Sequence, residues 1–156
     1  MTRLLNREPE MRLKSDIGQS EPGVFSAALP DPNGAVVCLL DDDSSVLKAQ
    51  GRLLSSVGWK PELFADPGKF LSYAEAHQPR VVVLDVWMPL MNGLEVQSRL
   101  GAISPLTKVI IFTGKDDEKV RATAMDAGAC AFFVKPFCDE EFIAAIRRAL
   151  EPTSAD

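Results

Sequence analysis

Five short apolar runs alternate with five segments of helical periodicity between Ala35 and Leu150. The runs are rich in valine and isoleucine and mostly lack polar alternation, which is typical of parallel strands covered on both faces. The predicted strands are Ala35–Leu40, Lys60–Phe64, Arg80–Leu84, Lys108–Phe112 and Ala131–Val134. Five strand–helix units predict an α/β sandwich built on a parallel sheet, with right-handed crossovers.

The intervening segments carry the signals of amphipathic helices with defined ends. Asp66-Pro67 predicts a helix start, with a capping carboxylate followed by proline at the first helical position. Gly58 and Gly128 are placed to end the first and fourth helices. The other predicted helices are Ser44–Val57, a short Asn92–Leu100, Asp117–Ala127 and Asp139–Leu150.

The length of 156 residues suits one domain with an added tail. Residues 1–34 mix charged, small and turn-forming residues without sustained apolar periodicity, and we expect a largely disordered extension there. We predict the domain over residues 35–151 and a short C-terminal tail over 152–156. The chain starts with Met1 and has no tag-like sequence, so we expect a stand-alone domain rather than a fragment of a longer protein.

Charge and hydropathy exclude several kinds of protein. The formal net charge of −5 argues against nucleic acid as a direct partner. The longest apolar run, Ala35–Leu40, is far too short to span a membrane, no secretory signal is visible, and we expect a cytoplasmic protein. The three cysteines form no metal-binding or disulfide pattern, and we expect Cys38 and Cys130 to be small buried hydrophobic residues.

Polar residues follow four of the five predicted strands. In an open parallel sheet these positions lie at one edge, which is where ligands bind. Taken singly, each has a plainer interpretation, as a helix cap, a turn residue or a surface lysine, but their joint placement favours a site. The residues are Asp41, Asp42 and Asp43 after the first strand, Asp85 after the third, Thr113 and Gly114 after the fourth, and Lys135 and Pro136 after the fifth.

This set of side chains has a chemical rationale. Converging carboxylates repel one another, so their ionised forms need a cation, and oxygen-only ligands favour Mg²⁺. A carboxylate can also act as a nucleophile and form an acyl phosphate. A hydroxyl and an ammonium nearby would bind the remaining phosphoryl oxygens, because phosphoryl transfer depends mainly on positioning and charge neutralisation.

Several motifs match one known family in order and spacing. They are Leu-Leu-Asp-Asp-Asp (39–43), Val-Leu-Asp-Val-Trp-Met-Pro-Leu-Met-Asn-Gly (83–93), Ile-Ile-Phe-Thr-Gly (110–114), Ala-Met-Asp-Ala-Gly-Ala (124–129) and Phe-Phe-Val-Lys-Pro-Phe (132–137). From Val36 to Leu150 the chain resembles the CheY-like receiver domains of two-component response regulators. The motif sequences are most similar to those of receivers of the FixJ and LuxR type.

The resemblance implies a doubly wound, flavodoxin-like fold with strand order 2-1-3-4-5. It also implies that Asp85 is the phosphoacceptor and that Asp41 and Asp42 hold Mg²⁺ together with Asp85 and the backbone carbonyl of Trp87. The bulky Trp87 side chain is expected to shield the phosphoryl group from water and lengthen its lifetime. Gly114 is expected to leave access to Asp85 open from its side.

The same resemblance implies a switch. Thr113 matches the hydroxyl that turns towards the phosphoryl group, and Lys135 matches the lysine that pairs with phosphoryl oxygens. Phe132 matches the aromatic side chain that swings inward, and the Lys135–Pro136 bond is expected to be cis. The fourth helix, fifth strand and fifth helix then form the face that changes.

The implied partners are a histidine kinase or phosphotransfer protein as donor, and a downstream partner protein or a second copy as target. Such a domain catalyses its own phosphorylation and slow autodephosphorylation without being a conventional turnover enzyme. One alternative is a receiver-fold scaffold that works without phosphorylation. Another is a Mg²⁺-dependent phosphohydrolase, but those enzymes show Asp-x-Asp after the first strand, whereas Asp41 and Asp42 are consecutive.

Overall fold

The structure is a computed structural model that describes residues 34–152. Residues 1–33 of the predicted N-terminal extension and residues 153–156 of the predicted tail lie outside the described residues. Both predictions, and the domain limits 35–151, therefore stay predictions.

Five strands form one parallel sheet: β1 (Val36–Leu40), β2 (Lys60–Phe64), β3 (Val81–Asp85), β4 (Lys108–Thr113) and β5 (Ala131–Val134). Their order in the sheet is β2-β1-β3-β4-β5. This order confirms the predicted doubly wound α/β fold.

Five helices follow the strands in turn: α1 (Ser44–Ser56), α2 (Pro67–His77), α3 (Gly93–Ile103), α4 (Glu118–Asp126) and α5 (Asp139–Leu150). The first four begin after an Asp or Asn whose side chain accepts hydrogen bonds from the first turn, which satisfies donors that the helix itself leaves free. Among these described helices, none has the length and apolarity needed to cross a bilayer.

The helices cover the sheet on both faces. Alternate residues of β1 point in opposite directions, so Leu39 packs with α1 and α5 while Leu40 packs with α2, α3 and α4. Each face therefore has its own apolar core, and the central strands are buried on both sides. This burial fixes the ends of β1 and β3, which carry the acidic residues.

Three sequence predictions were wrong in detail. Helix α3 runs one turn past Leu100, because Gly101 continues the helix instead of ending it. Strand β2 is not covered on both faces, because it is the edge strand, and its Lys60 and Glu62 are exposed. Cys130 is exposed in the turn before the other edge strand, whereas Cys38 is buried as predicted.

Candidate functional site

Three carboxylates meet at the carboxyl end of the sheet. Leu40 of β1 is level with Leu84 of the neighbouring β3, so the residues that follow them, Asp41 and Asp85, lie side by side. Asp42 joins them, and one carboxylate oxygen of each residue lies within 4.8 Å of the others. Asp41 and Asp85 are buried and Asp42 is exposed. The arrangement brings together the three acidic side chains predicted to bind a metal.

Asp43, the third of the consecutive aspartates, has a different role. Its Oδ1 accepts hydrogen bonds from the backbone N–H groups of Ser45, at 2.9 Å, and Val46, at 3.4 Å, and so caps α1. Its own N–H donates to Asp41 Oδ1 at 2.9 Å. The helix-capping interpretation of the triplet thus applies to Asp43, which also orients the Asp41 carboxylate.

Lys135 brings a positive charge from β5 to this cluster. Its Nζ lies 3.4 Å from Asp41 Oδ2 and 4.4 Å from the centroid of the Phe112 ring. Its backbone N–H donates to the Thr113 carbonyl at 2.7 Å, and the peptide bond to Pro136 is cis, as expected. The ammonium therefore reaches the acidic cluster across the ends of β4 and β5.

The site is short of positive charge. Burial, followed by repulsion from Asp41, raises the pKa of Asp85 from its ordinary 3.8 to about 6. Lys135 and a hydrogen bond from the Trp87 N–H oppose this rise in pKa. Burial also raises the pKa of Asp41, against the hydrogen bond from Asp43 and the charge of Lys135. One ammonium does not offset three carboxylates, which leaves a demand for a further cation.

The donor set fits Mg²⁺. All three side chains offer carboxylate oxygens, which are the ligands that this hard cation takes in proteins. Partial exposure through Asp42 leaves room for the water ligands that Mg²⁺ keeps. The chemistry of the site thus agrees with the Mg²⁺ ion that the sequence resemblance implies.

The other predicted side chains border this cluster. Thr113 is fully buried at the end of β4, and its Oγ1 accepts a hydrogen bond from the Lys115 N–H at 3.3 Å. Trp87, two residues beyond Asp85, is 43% exposed, and Lys115 Nζ lies 5.4 Å from the centroid of its ring. The Lys115 and Trp87 side chains therefore bring the loops after β3 and β4 together.

Phe132 lies away from the acidic cluster. The ring is partly buried against the core beneath α2, α3 and α4. The Arg121 guanidinium covers it at 4.5 Å and is itself 3.6 Å from Asp116. Phe132 thus does not touch the carboxylates, and its predicted switch role depends on movement.

Sequence reasoning did not single out Gly93 as part of the site. A Cβ on Gly93 would lie 2.4 Å from the Asp85 carbonyl oxygen and 2.9 Å from Val86 Cα. Its N–H donates to the Val86 carbonyl at 2.8 Å. Only glycine allows the start of α3 to approach the backbone of Asp85 so closely. The available signal was a glycine directly after the helix-capping Asn92, which is not by itself diagnostic.

Comparison with known proteins agrees with this geometry. The family model described as response regulator receiver domain matches residues 37–147. The response regulator protein TodT of Pseudomonas putida is 38% identical over 117 residues, which are 75% of this chain and 52% of TodT. The response regulator MprA of Mycobacterium sp. (strain KMS) is 36% identical over 120 residues, 77% of this chain and 52% of MprA. The chain spans about half the length of these curated relatives.

Solved structures show the same fold. The crystal structure of FixJ-N superposes with a TM-score of 0.70 at 34% identity, covering 74% of this chain and 93% of that one. A CheY-like receiver domain protein from Methanospirillum hungatei JF-1 gives a TM-score of 0.71 at 25% identity, covering 74% and 93%. On its sequence, its strand order and its cluster of carboxylates, this chain belongs to the receiver domains of two-component response regulators.

Proposed function

We propose that Asp85 accepts a phosphoryl group from the phosphohistidine of a histidine kinase or phosphotransfer protein, in the cytoplasm. Asp41, Asp42, Asp85 and the backbone carbonyl of Trp87 would hold Mg²⁺. The observation that carries this proposal is the buried Asp85 carboxylate, which lies level with Asp41 at the open end of the sheet. The proposed functional unit is the receiver domain over residues 35–151.

The chemistry requires an ionised Asp85. A carboxylate oxygen attacks phosphorus, a new O–P bond forms and the P–N bond to histidine breaks, with the electron pair passing to the imidazole. A pKa of about 6 leaves Asp85 mostly ionised near neutral pH and more basic than an ordinary aspartate. Bound Mg²⁺ would supply neutralisation of negative charge on the phosphoryl oxygens.

Lys135 and Thr113 have complementary roles in this proposal. Lys135 already lies 3.4 Å from Asp41 and would pair with a phosphoryl oxygen once one is present. The buried Thr113 hydroxyl would turn to donate to another oxygen, and Phe132 would follow into the space released. These movements would change the face of α4, β5 and α5, which would then bind a downstream protein or a second copy.

The metal part of the proposal can be tested with two neighbouring aspartates. Asp42→Asn removes a carboxylate from the cluster. Asp43→Asn removes a carboxylate that caps α1, and asparagine caps a helix equally well. We expect Asp42→Asn to weaken Mg²⁺ binding at least tenfold and Asp43→Asn to change it little. Titration followed by tryptophan fluorescence suits this test, because Trp87 borders the site and Trp59 is only 3% exposed. Equal weakening in both variants would contradict the assignment.

A turnover assay separates this function from hydrolysis. The protein is incubated with a generic phosphate ester and Mg²⁺. A receiver should release at most one phosphate per protein molecule over the lifetime of its phosphorylated form. Many turnovers per molecule would instead favour a phosphohydrolase.

A further inference from the structure

An open groove lies between α1 and the edge strand β2, apart from the carboxylate cluster. Its volume is about 550 Å³. Helix α1 contributes Lys48, Gly51 and Arg52, and β2 contributes Pro61 and Leu63. These five residues define the α1–β2 groove, and none of them belongs to the proposed phosphorylation site.

The open edge of β2 is poorly suited to adding another strand. Lys60 donates its N–H to Ala35, and Phe64 accepts from Asp41, so these residues direct their backbone groups towards β1. Backbone groups of successive residues in a strand point to opposite sides, so those of Pro61 and Leu63 point outward, away from β1. Pro61 has no N–H to offer at that edge, which disfavours a pairing strand. A partner in the groove is therefore more suitably a helix than a strand.

The floor of the groove is apolar and partly exposed to solvent. Leu63 is 43% exposed and belongs to neither of the two cores. A Cβ on Gly51 would lie 3.4 Å from Leu63 Cδ2 and 3.8 Å from Pro61 Cγ. Gly51 is buried, so its missing side chain allows Leu63 to pack directly against α1. An apolar side chain from a partner would cover this floor.

The rim of the groove is basic, although the chain as a whole is acidic. Lys48 and Arg52 are four residues apart and share one side of α1. Helix α1 contains no acidic residue, and the lining of the groove has none within residues 34–152. The net charge of the chain is −5, so this local positive charge favours an acidic partner.

We propose that the α1–β2 groove binds an acidic amphipathic helix of a partner protein. An apolar residue of that helix packs on the exposed surface of Leu63 and Pro61, and flanking carboxylates pair with Lys48 and Arg52. The groove shares no residue with the phosphorylation site, so binding does not require phosphorylation of Asp85.

The test uses the full-length, ¹⁵N-labelled protein and a synthetic helical peptide. Leucines stand at every third or fourth position of the peptide and glutamates flank them, while a control peptide has lysine in place of every glutamate. We expect the acidic peptide to shift the amide signals of Gly51, Arg52 and Leu63, and the basic peptide to bind at least tenfold more weakly. Raising the salt concentration should weaken the acidic complex.

Three variants locate the site. Arg52→Glu and Leu63→Gln should each weaken binding of the acidic peptide about tenfold, whereas Lys69→Glu, an exposed charge reversal on α2, should leave it unchanged. An intact amide spectrum and unchanged labelling by acetyl phosphate confirm that each variant is folded.

Three outcomes would overturn the proposal. One is the absence of shifts at groove amides with millimolar acidic peptide, and another is equal binding of the basic peptide. The third is a shift of the same amides on raising the protein concentration alone, since that result assigns the groove to a second copy.

Discussion

The two ends of the sheet differ in how well their polar side chains are paired. At the carboxyl end, Asp41 and Asp85 are buried with raised pKa values and a single nearby ammonium. At the amino end, the Thr107 hydroxyl donates to the Pro79 carbonyl at 2.6 Å and lies 2.6 Å from the Ser104 hydroxyl. The hydroxyls at the amino end are paired with each other and with a carbonyl, whereas three carboxylates at the carboxyl end share one ammonium.

This difference separates stability from function along a single sheet. Paired polar groups stabilise the folded state, and the Arg80 guanidinium extends the pairing at the amino end by donating to the Leu150 carbonyl at the end of α5. Crowded carboxylates destabilise the folded state until a cation binds, and such perturbed groups are characteristic of functional sites. Substitutions at the two ends should therefore change stability in opposite directions.

The largest effect is expected from alanine at the two glycines of α3. Gly93→Ala places a Cβ 2.4 Å from the Asp85 carbonyl oxygen and should lower the free energy of unfolding by about 3 kcal/mol. Gly101→Ala meets nothing within 4 Å and should raise the free energy of unfolding by up to about 1 kcal/mol. Urea denaturation measures both values. Similar values for the two variants would show that α3 is not packed tightly against the backbone of Asp85.

The second pair compares the ends of the sheet directly. Without Mg²⁺ at pH 7.5, Asp85→Asn removes an ionised carboxylate whose pKa is raised from 3.8 to about 6, and should stabilise the protein by up to about 3 kcal/mol. Thr107→Val removes a hydroxyl that serves two hydrogen bonds, and should destabilise it by about 2 kcal/mol. Both are measured by denaturation in a chelating buffer. Destabilisation by Asp85→Asn would contradict the claim that crowded carboxylates lower the stability of the folded protein.

The pH dependence of stability follows from the same group. Folding raises the pKa of Asp85, so the folded state binds the proton more tightly than the unfolded state between pH 3.8 and about 6. Stability from this group is therefore present at low pH and is lost as the pH rises through that window, by about 2 kcal/mol between pH 4 and 7. The measured quantity is the difference between wild type and Asp85→Asn in metal-free buffer. A difference that does not change with pH would sink this explanation, and added Mg²⁺ should reduce the loss.

The smallest effect concerns the lifetime of the phosphorylated protein. Trp87 is 43% exposed beside Asp85 and is flanked by Lys115, so its ring should restrict the approach of water. Trp87→Asn should shorten the lifetime a few-fold, about 1 kcal/mol or less in activation free energy. Decay is followed by mass spectrometry after removal of the phosphodonor. Equal lifetimes would show that the ring does not shield the site.

Much of the fold could be predicted because burial leaves a strong pattern. The central strands are apolar on both faces, and four of the five helices start after an Asp or Asn cap, so these elements were correctly predicted to within a few residues. The apolar pattern of β2 wrongly predicted coverage on both faces, although the strand order that the family resemblance implied correctly places β2 at the edge. The extension of α3 beyond Leu100 was not predicted, because a glycine can either end a helix or continue it and the sequence around Gly101 does not decide between the two.

The sequence correctly indicated which acidic residues come together at the candidate site, but not the contacts that they make. The position of Asp85 after the third strand indicated its neighbours, because strand ends meet at one edge of a parallel sheet. The residue types alone do not separate Asp42 from Asp43, since both are aspartates at the same helix start, and the metal role of Asp42 was predicted only through the family resemblance. The close approach of Gly93 depends on the path of the loop after β3, which a single glycine in the sequence does not specify.

The most direct test of the account is the intact mass of the protein after incubation with Mg²⁺ and acetyl phosphate. Wild type should gain one phosphoryl group, about 80 Da, through an acyl phosphate, and Asp85→Asn should gain none. Labelling of both proteins, or of neither while Mg²⁺ still binds, would contradict Asp85 as the acceptor. The second result would favour a receiver-fold scaffold that works without phosphorylation.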